Sequence, residues 1–395
     1  MVLLGNDVQS QTNRVLAALQ PAGIREFNNQ ISSIPHLIRL TVGEPDLKTP
    51  LSVKIAATVS IWRNQSHYSA AAGILPLRKA IARFMAKTQR ISYDPATEII
   101  TTVGSTEGLA TAIMGLFNPG DQVIVPTPAY PLYIPLLTFV GAQPVTLNTA
   151  PDRFKLTAAR LTSELERWPN ARAIILNYPH NPTGTTYSEG ELRELARIIK
   201  AHHLIVITDE IYGQLTYNQP HVSLARFIPE RTVVVTGLSK SHAMTGYRIG
   251  SVVGPEALIQ KIAKLHSYLV TAPSNPAQYA AVQAYRDVRP ANSARFRYYK
   301  RQQYLTATLT AMNVSYVQPQ GAFYLFMRIP EQYGTNDREF ALKLANQAGV
   351  GCIPGQIFGP GGAGYVRLSY ATKLSQIKKA MQRLENFMKQ DKRLN

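Results

Sequence analysis

The sequence predicts an α/β fold in which helices cover both faces of a mostly parallel central sheet. Short uncharged runs rich in β-branched residues recur between residues 98 and 255, and stretches with helical spacing separate them. Strands that alternate with helices favour parallel pairing, and the strands of such a sheet are hydrophobic along their whole length. The chain of 395 residues is long enough for one such domain and a smaller second one.

The predicted strands follow one another in the order expected for this fold. The first is followed by a helical stripe of Leu109, Ile113 and Leu116, which ends at the turn 118–120. A second amphipathic helix, 189–203, lies between two later strands. The strands are predicted at 98–104, 121–128, 142–149, 171–179, 204–213, 231–240 and 249–255.

The last third of the chain has a different pattern. A long helical stretch begins near residue 258, residues 314–329 alternate like strands, and a further helix ends at Gly349. A short strand at 365–371 precedes a closing helix. We therefore expect three parts: an N-terminal segment (1–45) that packs with the small domain, a large domain (46–285) and a small α+β domain (286–395).

Composition excludes several classes of site. The single cysteine, Cys352, rules out an internal disulfide and a cysteine-rich zinc site, and the histidines lack metal-ligand spacing, so no metal is expected. No apolar run approaches the about 18 residues of a membrane span, and the first residues do not resemble a signal peptide. We expect a cytoplasmic protein with no membrane partner.

The net charge of +18, from 42 basic and 24 acidic residues, favours anionic partners. The basic residues are scattered, and the densest groups have helical spacing, which is typical of solvated helix faces. We therefore expect no specific nucleic-acid partner. A nucleic-acid-binding protein stays as an alternative, and it predicts tight, salt-sensitive DNA binding.

Polar side chains follow the β-branched parts of four of the predicted strands, which end at residues 104, 179, 208 and 236. Because the carboxyl ends of parallel strands meet at one edge of a sheet, we expect these side chains to lie close together. They offer an amine, a carboxylate, a phenol, an amide, a guanidinium and a phosphate-sized nest, which suits a phosphorylated aromatic cofactor held as an imine. They are Ser105 and Thr106, Asn181, Asp209 and Tyr212, and Ser239, Lys240 and Arg248.

Seven motifs, in their family order, resemble those of pyridoxal-phosphate-dependent aminotransferases of class I/II. The resemblance covers nearly the whole chain and implies the fold type I architecture and pyridoxal 5′-phosphate as cofactor. "AGIREF", "LTVGEPD" and "GAFYLF" are most similar to bacterial aromatic and N-acetyl-diaminopimelate aminotransferases. The motifs are "LTVGEPDLKTP" (40–50), "HYSAAAGILPLRKAI" (67–81), "VPTPAYPLY" (125–133), "NYPHNPTG" (177–184), "DEIY" (209–212), "SKSHAMTGYRIG" (239–250) and "YVRLSYA" (365–371).

The resemblance implies catalytic roles for three residues. Lys240 would hold the cofactor aldehyde as an imine and then move a proton, which requires a pKa below that of a free lysine. Asp209 would pair with the pyridine nitrogen. Tyr212 and Asn181 would hydrogen-bond the phenolic oxygen of the cofactor, although the sequence around Asn181 also favours an ordinary turn.

The resemblance also implies how the phosphate is held. Ser105 and Thr106 would bind it at a helix N-terminus, and Arg248 would supply the opposite charge. Many relatives have serine where this chain has Gly237, which leaves a phosphate contact from Ser239 open.

Four further residues are assigned by the same resemblance. Tyr130 would stack on the cofactor ring, and Tyr68 would reach the phosphate in the neighbouring subunit of a homodimer. Arg367 would bind the α-carboxylate of the substrate in two hydrogen bonds, and the backbone of Gly43 would approach the same carboxylate.

These roles imply an aminotransferase with a ping-pong mechanism. The amino group would pass from an L-amino acid to a 2-oxo acid such as 2-oxoglutarate. We expect Ile24, Phe27, Tyr68 and Phe323 to form the side-chain pocket, which favours an aromatic, bulky or diaminopimelate-type donor. The alternative on the same scaffold is a C–S lyase that catalyses β-elimination, or a decarboxylase, because both use the same lysine, aspartate and tyrosine.

Overall fold

The computed structural model describes residues 11–21 and 23–391. Residues 1–10 and 22 of the predicted N-terminal segment, and 392–395 of the predicted C-terminal domain, lie outside the described residues. The helices in this part of the chain are α1 (Arg14–Ala18), α2 (Gly23–Gln30), α3 (Leu51–Trp62), α4 (Leu75–Gln89), α5 (Gly104–Leu116), α6 (Tyr133–Phe139), α7 (Ala158–Arg167), α8 (Glu189–Ala201), α9 (Glu256–Val270), α10 (Asn275–Arg286), α11 (Arg289–Ala311), α12 (Asp337–Ala348) and α13 (Leu374–Asp391).

The strands are shorter than the sequence runs that predict them. They are β1 (Ile38–Arg39), β2 (Ile99–Thr102), β3 (Gln122–Thr127), β4 (Gln143–Asn148), β5 (Ala171–Asn177), β6 (Ile205–Asp209), β7 (Thr232–Gly237), β8 (Gly250–Val253), β9 (Tyr316–Val317), β10 (Tyr324–Arg328), β11 (Val350–Gly351), β12 (Ile353–Pro354) and β13 (Tyr365–Ser369).

Seven strands form a large sheet in the order β2-β8-β7-β6-β5-β3-β4. All neighbours pair in parallel except β8, which runs antiparallel to both β2 and β7. The segment that joins β7 to β8 contains no crossover helix of the kind a parallel connection needs, so the chain returns antiparallel. The prediction of a mostly parallel sheet flanked by helices is confirmed.

The core of this sheet explains why its strands are apolar along most of their length. Ile174 and Ile175 of β5 point to opposite faces, and both are buried, as are Val206 and Ile207 of β6. Helices α5, α6 and α9 cover one face, while α4, α7, α8 and α10 cover the other. Each fully buried side chain of this size contributes about 1.5–3 kcal/mol to folding, so a polar residue inside these strands is strongly disfavoured.

A four-stranded antiparallel sheet, β12-β13-β10-β9, lies in the C-terminal part of the chain. The buried hydrophobic residues of this sheet belong to one hydrophobic cluster. Phe27 and Ile31 of the N-terminal segment belong to the same cluster, together with Phe340 and Leu344 of α12. Strand β1 also pairs in parallel with β11. The domain boundaries at residues 45 and 285 stay a prediction.

The register of the large sheet aligns the ends of three neighbouring strands. Asn177 at the end of β5 pairs with Asp209 at the end of β6, and Asp209 pairs with Val235 near the end of β7. The polar residues that follow these strands therefore emerge at one edge. None of the helices in the described part of the chain is both long and apolar enough to cross a membrane.

Candidate active site

A cavity of about 630 Å³ opens at the carboxyl edge of the large sheet. It lies between the loops that follow the parallel strands and the sheet of the C-terminal part. The residues predicted to bind the cofactor or the substrate carboxylate line it, with the exception of Tyr68: Gly43, Ser105, Thr106, Tyr130, Asn181, Asp209, Tyr212, Ser239, Lys240, Arg248 and Arg367. The roles of these residues stay a proposal.

Lys240 lies in the turn after β7 and reaches into the cavity. Its Nζ donates a hydrogen bond of 2.6 Å to the carbonyl oxygen of Gly43. The pKa of Lys240 is lowered to about 8: burial is the largest cause, Glu44 and Asp209 oppose the lowering, and Arg367 and Arg248 add to it. A substantial fraction of this amine is therefore neutral near physiological pH, as a nucleophile or base requires.

Asp209 ends β6 and is 4% exposed. Burial raises the pKa of its carboxyl group to about 6. Two hydrogen bonds oppose that rise: the Tyr133 hydroxyl donates to Oδ2 at 2.7 Å, and the backbone N–H of Ile211 donates to Oδ1 at 3.2 Å. No lysine or arginine among the described residues forms an ion pair with this carboxylate, so it suits a cationic group on a ligand.

Tyr212 meets Tyr324 of β10 in the floor of the cavity, with 2.8 Å between their hydroxyl oxygens. Burial raises the pKa of both phenols, so both stay protonated. A Cβ at Gly43 would overlap the Tyr324 hydroxyl, so the close approach of these segments requires glycine there.

Arg367 of β13 is a buried cation, 2% exposed. Its Nη1 donates to Oδ1 of Asn181 at 2.8 Å, and its Nη2 donates to the carbonyl oxygen of Thr41 at 2.7 Å. Burial lowers its pKa, and its Nε has no hydrogen-bond partner among the described residues. No carboxylate in the described chain pairs with this guanidinium. A buried charge without a counter-ion is costly, so the site suits an anionic ligand.

The first turn of α5 forms a cradle with Arg248. Gly104 has a φ of 76°, and a Cβ at this position would collide with the Arg248 guanidinium. Ser105 and Thr106 follow in the same turn, where free N–H groups and the helix dipole favour an anion. Buried Ser239 lines the same cavity. The arrangement fits a phosphate group.

Gly237 does not line this cavity. A Cβ there would lie 3.1 Å from the carbonyl oxygen of Ile249 and 3.3 Å from Cδ1 of Ile211, and Gly237 borders a different cavity. The glycine found where relatives have serine therefore leaves no gap in the wall of the candidate active site.

The two other predicted tyrosines differ in position. Tyr130 lines the cavity, and its ring lies edge-on to Tyr133 with 5.9 Å between centroids. Tyr68 is 90% exposed and lies outside the cavity of its own chain. Its expected contact with a neighbouring subunit stays a prediction.

The expected side-chain pocket is partly wrong. Phe27 of α2 and Phe323, in the turn before β10, are fully buried in the hydrophobic core and do not line the cavity, although the centroid of the Phe323 ring lies 5.9 Å from Lys240 Nζ. Ile24 does line it, together with Arg25 and Val42.

Sequence reasoning missed Tyr133, Tyr324 and Arg25. Each lies inside a motif quoted in the sequence analysis, but their contacts with the site depend on the tertiary fold. The described residues contain no cluster of three His, Cys, Asp or Glu side chains that could hold a metal ion.

Comparison with known proteins gives consistent results. Residues 35–384 match the family described as aminotransferase class I and II. The chain is 40% identical to a probable N-acetyl-LL-diaminopimelate aminotransferase of Bacillus subtilis, over 94% of each chain. It is 34% identical to aromatic-amino-acid aminotransferase 2 of Thermococcus litoralis, over 95% of this chain and 98% of that one. The structure of Thermus thermophilus aspartate aminotransferase with maleate superposes with a TM-score of 0.90 at 34% identity, covering 95% and 99% of the two chains.

Proposed function

Because the chain belongs to the class I and II aminotransferases and is an enzyme of the transaminase type, we propose that it works with pyridoxal 5′-phosphate. The observation that carries this proposal is the buried amine of Lys240, whose pKa is lowered to about 8 in the same cavity as Asp209, Arg248 and Arg367.

The residues of the cavity fit this cofactor. A Cβ added at Gly104 would occupy the space between the first turn of α5 and the Arg248 guanidinium. The carboxylate of Asp209 has no cationic partner in the described chain. Ser105, Thr106, Ser239 and Arg248 would hold the phosphate, Asp209 the ring nitrogen, Tyr212 and Asn181 the phenolic oxygen, and Tyr130 the ring face. When bound, the cofactor supplies an electron-poor ring that stabilises negative charge at the substrate Cα.

Lys240 has two tasks in this proposal. Its neutral amine would hold the cofactor aldehyde, and after release it would take the proton from the substrate Cα. Burial favours the neutral amine, and the carbonyl oxygen of Gly43 fixes Nζ by its hydrogen bond.

Arg367 would position the substrate. Asn181 and Thr41 hold its guanidinium from one side, so the remaining N–H groups can bind a carboxylate in two hydrogen bonds. A substrate fixed through its α-carboxylate presents a defined bond of Cα to Lys240, which favours loss of the proton over loss of another group.

We propose an aromatic, bulky or diaminopimelate-type amino acid as donor and a 2-oxo acid such as 2-oxoglutarate as acceptor, in a ping-pong reaction. Ile24 and Val42 give the cavity apolar contacts, and exposed Arg25 adds a guanidinium that suits a distal carboxylate. A screen of phenylalanine, N-acetyl-diaminopimelate and aspartate as donors to 2-oxoglutarate ranks these substrate classes. Transfer from aspartate alone would contradict the proposed donor class.

We propose a homodimer in which Tyr68 of each chain contributes to the site of its partner. Large apolar side chains are exposed on α3 and at the end of α9. They are Leu51, Ile55, Ile61 and Trp62 on α3, and Tyr268 and Leu269 on α9. Exposed large apolar side chains that are concentrated on one helix are typical of a surface that another chain covers. A cytoplasmic location, expected from the sequence, stays a prediction.

Replacing Lys240 by alanine tests the enzymatic proposal. Lys240→Ala should lose the absorbance of covalently held cofactor and reduce transamination by about 10²–10⁴-fold through the missing base alone. Lys379→Ala, which removes an exposed lysine on α13, should leave both unchanged. Near-normal turnover of Lys240→Ala would overturn the proposal. Pyruvate and ammonia formed from cystathionine without any 2-oxo acid would instead favour the lyase.

A further inference from the structure

A second cavity, of about 420 Å³, lies behind the candidate active site. Val234, Thr236 and Gly237 of β7 form its floor, on the sheet face that α4 and α10 cover. Ile211 lines both cavities and separates them. Nothing in the proposed transamination uses this space.

One wall of the second cavity is aromatic. Phe84 of α4 and Tyr285 of α10 meet edge to face, with 5.4 Å between ring centroids, and both line the cavity. Val288, at the start of α11, adds an apolar contact. A flat apolar group would be removed from water by these surfaces, which is the main source of affinity in pockets of this kind.

Four cations surround the cavity: Arg83, Lys87, Arg286 and Arg295. None of them forms an ion pair with any residue that the structure describes. An anion bound in the cavity would therefore meet several positive charges that have no ion-pair partner in the described chain.

The interior of the cavity does not neutralise these cations. Glu210 is the acidic side chain among the described residues that line it, and its carboxylate is already engaged. Ser223 donates to Oε1 at 2.7 Å, and His221 Nε2 lies 2.7 Å from Oε2. The Nδ1 atom of His221 is buried and has no hydrogen-bond partner in the described chain.

We propose that this cavity binds a small organic anion with an aromatic or similarly flat apolar body. The aromatic wall would hold the body of the ligand, and the arginines would hold its carboxylate or sulfonate. The site is distinct from the transamination site, because Ile211 and the β7 floor lie between them.

The test uses the full-length enzyme loaded with pyridoxal phosphate and saturated with 2-oxoglutarate. The probe is 8-anilinonaphthalene-1-sulfonate, whose fluorescence rises in apolar surroundings. N-phenyl-1-naphthylamine, which has the same rings without the sulfonate, is the neutral control. We expect one saturable site per chain for the sulfonate and weaker binding of the neutral amine.

Two variants locate the bound probe. Arg83→Ser/Arg295→Ser should weaken sulfonate binding by at least about tenfold, since a hydrogen bond to a charged group contributes about 1.5–3 kcal/mol. Thr88→Trp, which narrows the cavity at an exposed helix position, should weaken binding of both dyes. Arg197→Ser/Arg328→Ser removes two exposed cations outside both cavities and should change neither affinity.

Three results would overturn the proposal: equal affinity for both dyes, unchanged sulfonate binding in Arg83→Ser/Arg295→Ser, or sulfonate binding that is seen without 2-oxoglutarate and lost when 2-oxoglutarate saturates the enzyme. The last result would place the dye in the transamination cavity. Thermal unfolding of each variant verifies that it is folded, and transaminase activity should be unchanged in all of them.

Discussion

The carboxyl group of Asp209 is under two opposing influences. Burial favours its neutral form and raises its pKa to about 6, whereas the Tyr133 hydroxyl donates to the charged form and lowers it. Tyr133 is itself fully enclosed, so water cannot replace its hydrogen bond. The affinity for a ligand with a protonated ring nitrogen should therefore depend on this tyrosine.

Replacing Tyr133 by phenylalanine should raise the pKa of Asp209. Because the proposed cofactor pairs with the ionised carboxylate, its affinity should fall as the pH drops through about 6 in the wild-type enzyme. In Tyr133→Phe the affinity should fall at a pH about one to two units higher. A shift of this size corresponds to the free energy of one hydrogen bond to a charged group. Spectroscopic titration of the cofactor-free enzyme with pyridoxal phosphate at a series of pH values measures the shift.

A cofactor analogue with carbon in place of the ring nitrogen provides the control. It has no charge to pair with Asp209, so Tyr133→Phe should not change its pH dependence. An equal shift for both cofactors would show that Tyr133 acts by some route other than Asp209.

Arg367→Lys tests the carboxylate site. Lysine cannot keep the contacts to Asn181 and Thr41 while binding a carboxylate through two N–H groups. The KM for donor and acceptor should rise by about 10- to 150-fold, the equivalent of one lost charged hydrogen bond. Steady-state kinetics with both substrates measures this change, and the affinity for pyridoxal phosphate should be unaltered. An unchanged KM would contradict the assignment.

The sequence predicted the residues of the cavity better than it predicted their neighbours. Lys240 and Asp209 follow strands, so the fold class alone places them at one edge. Tyr324 reaches the site across 112 positions from Tyr212, and no local pattern indicates such a pair. Phe323, its neighbour in the turn before β10, was expected in the pocket, but the tertiary fold buries it in the core.

Helix α5 begins in a conformation that depends on glycine. Gly104 has a φ of 76°, where other L-residues cost about 1–2 kcal/mol, and its missing side chain gives Arg248 room. Gly104→Ala should therefore reduce both the free energy of unfolding and the affinity for pyridoxal phosphate. Denaturant titration and cofactor titration measure the two effects separately.

Gly120 provides the matched control for Gly104. Its φ is 86°, but a Cβ there would meet no atom within 4 Å. Gly120→Ala should lose a similar amount of stability and keep its cofactor affinity. If both variants lost cofactor equally, the effect would be one of general stability and not of the phosphate cradle.

At the scale of elements, the sequence located long periodic segments well. The predicted strand at 171–179 is β5, and the predicted helix that ends at Gly349 is α12. The direction of β8 could not be predicted, because a buried strand has the same hydrophobic run in either direction. Two-residue strands such as β1 and β11 also leave no periodic signal, since they exist only through their tertiary pairing.

The whole molecule has an exposed apolar surface centred on α3. Trp62 is 81% exposed there, and a charge at its position should prevent two chains from associating. Trp62→Glu should be a monomer by sedimentation analysis and should lose activity, since Tyr68 would no longer reach a partner. Phe296→Glu, at an exposed aromatic on α11, should remain a dimer. An active Trp62→Glu monomer would contradict the shared site.

Two hydrogen bonds of the cavity join segments that are synthesised far apart in time. The carbonyl oxygen of Thr41 accepts a hydrogen bond from Arg367, which lies 326 positions later in the sequence. The carbonyl oxygen of Gly43 accepts one from Lys240, which lies 197 positions later. On the ribosome, the first of these segments emerges long before its partners exist. The large sheet can form earlier, but the site that binds the carboxylate is complete only after β13, which carries Arg367, has been synthesised. Nascent chains that stop before residue 367 should therefore be unable to hold a substrate carboxylate there, so the enzyme acquires activity only near the end of translation.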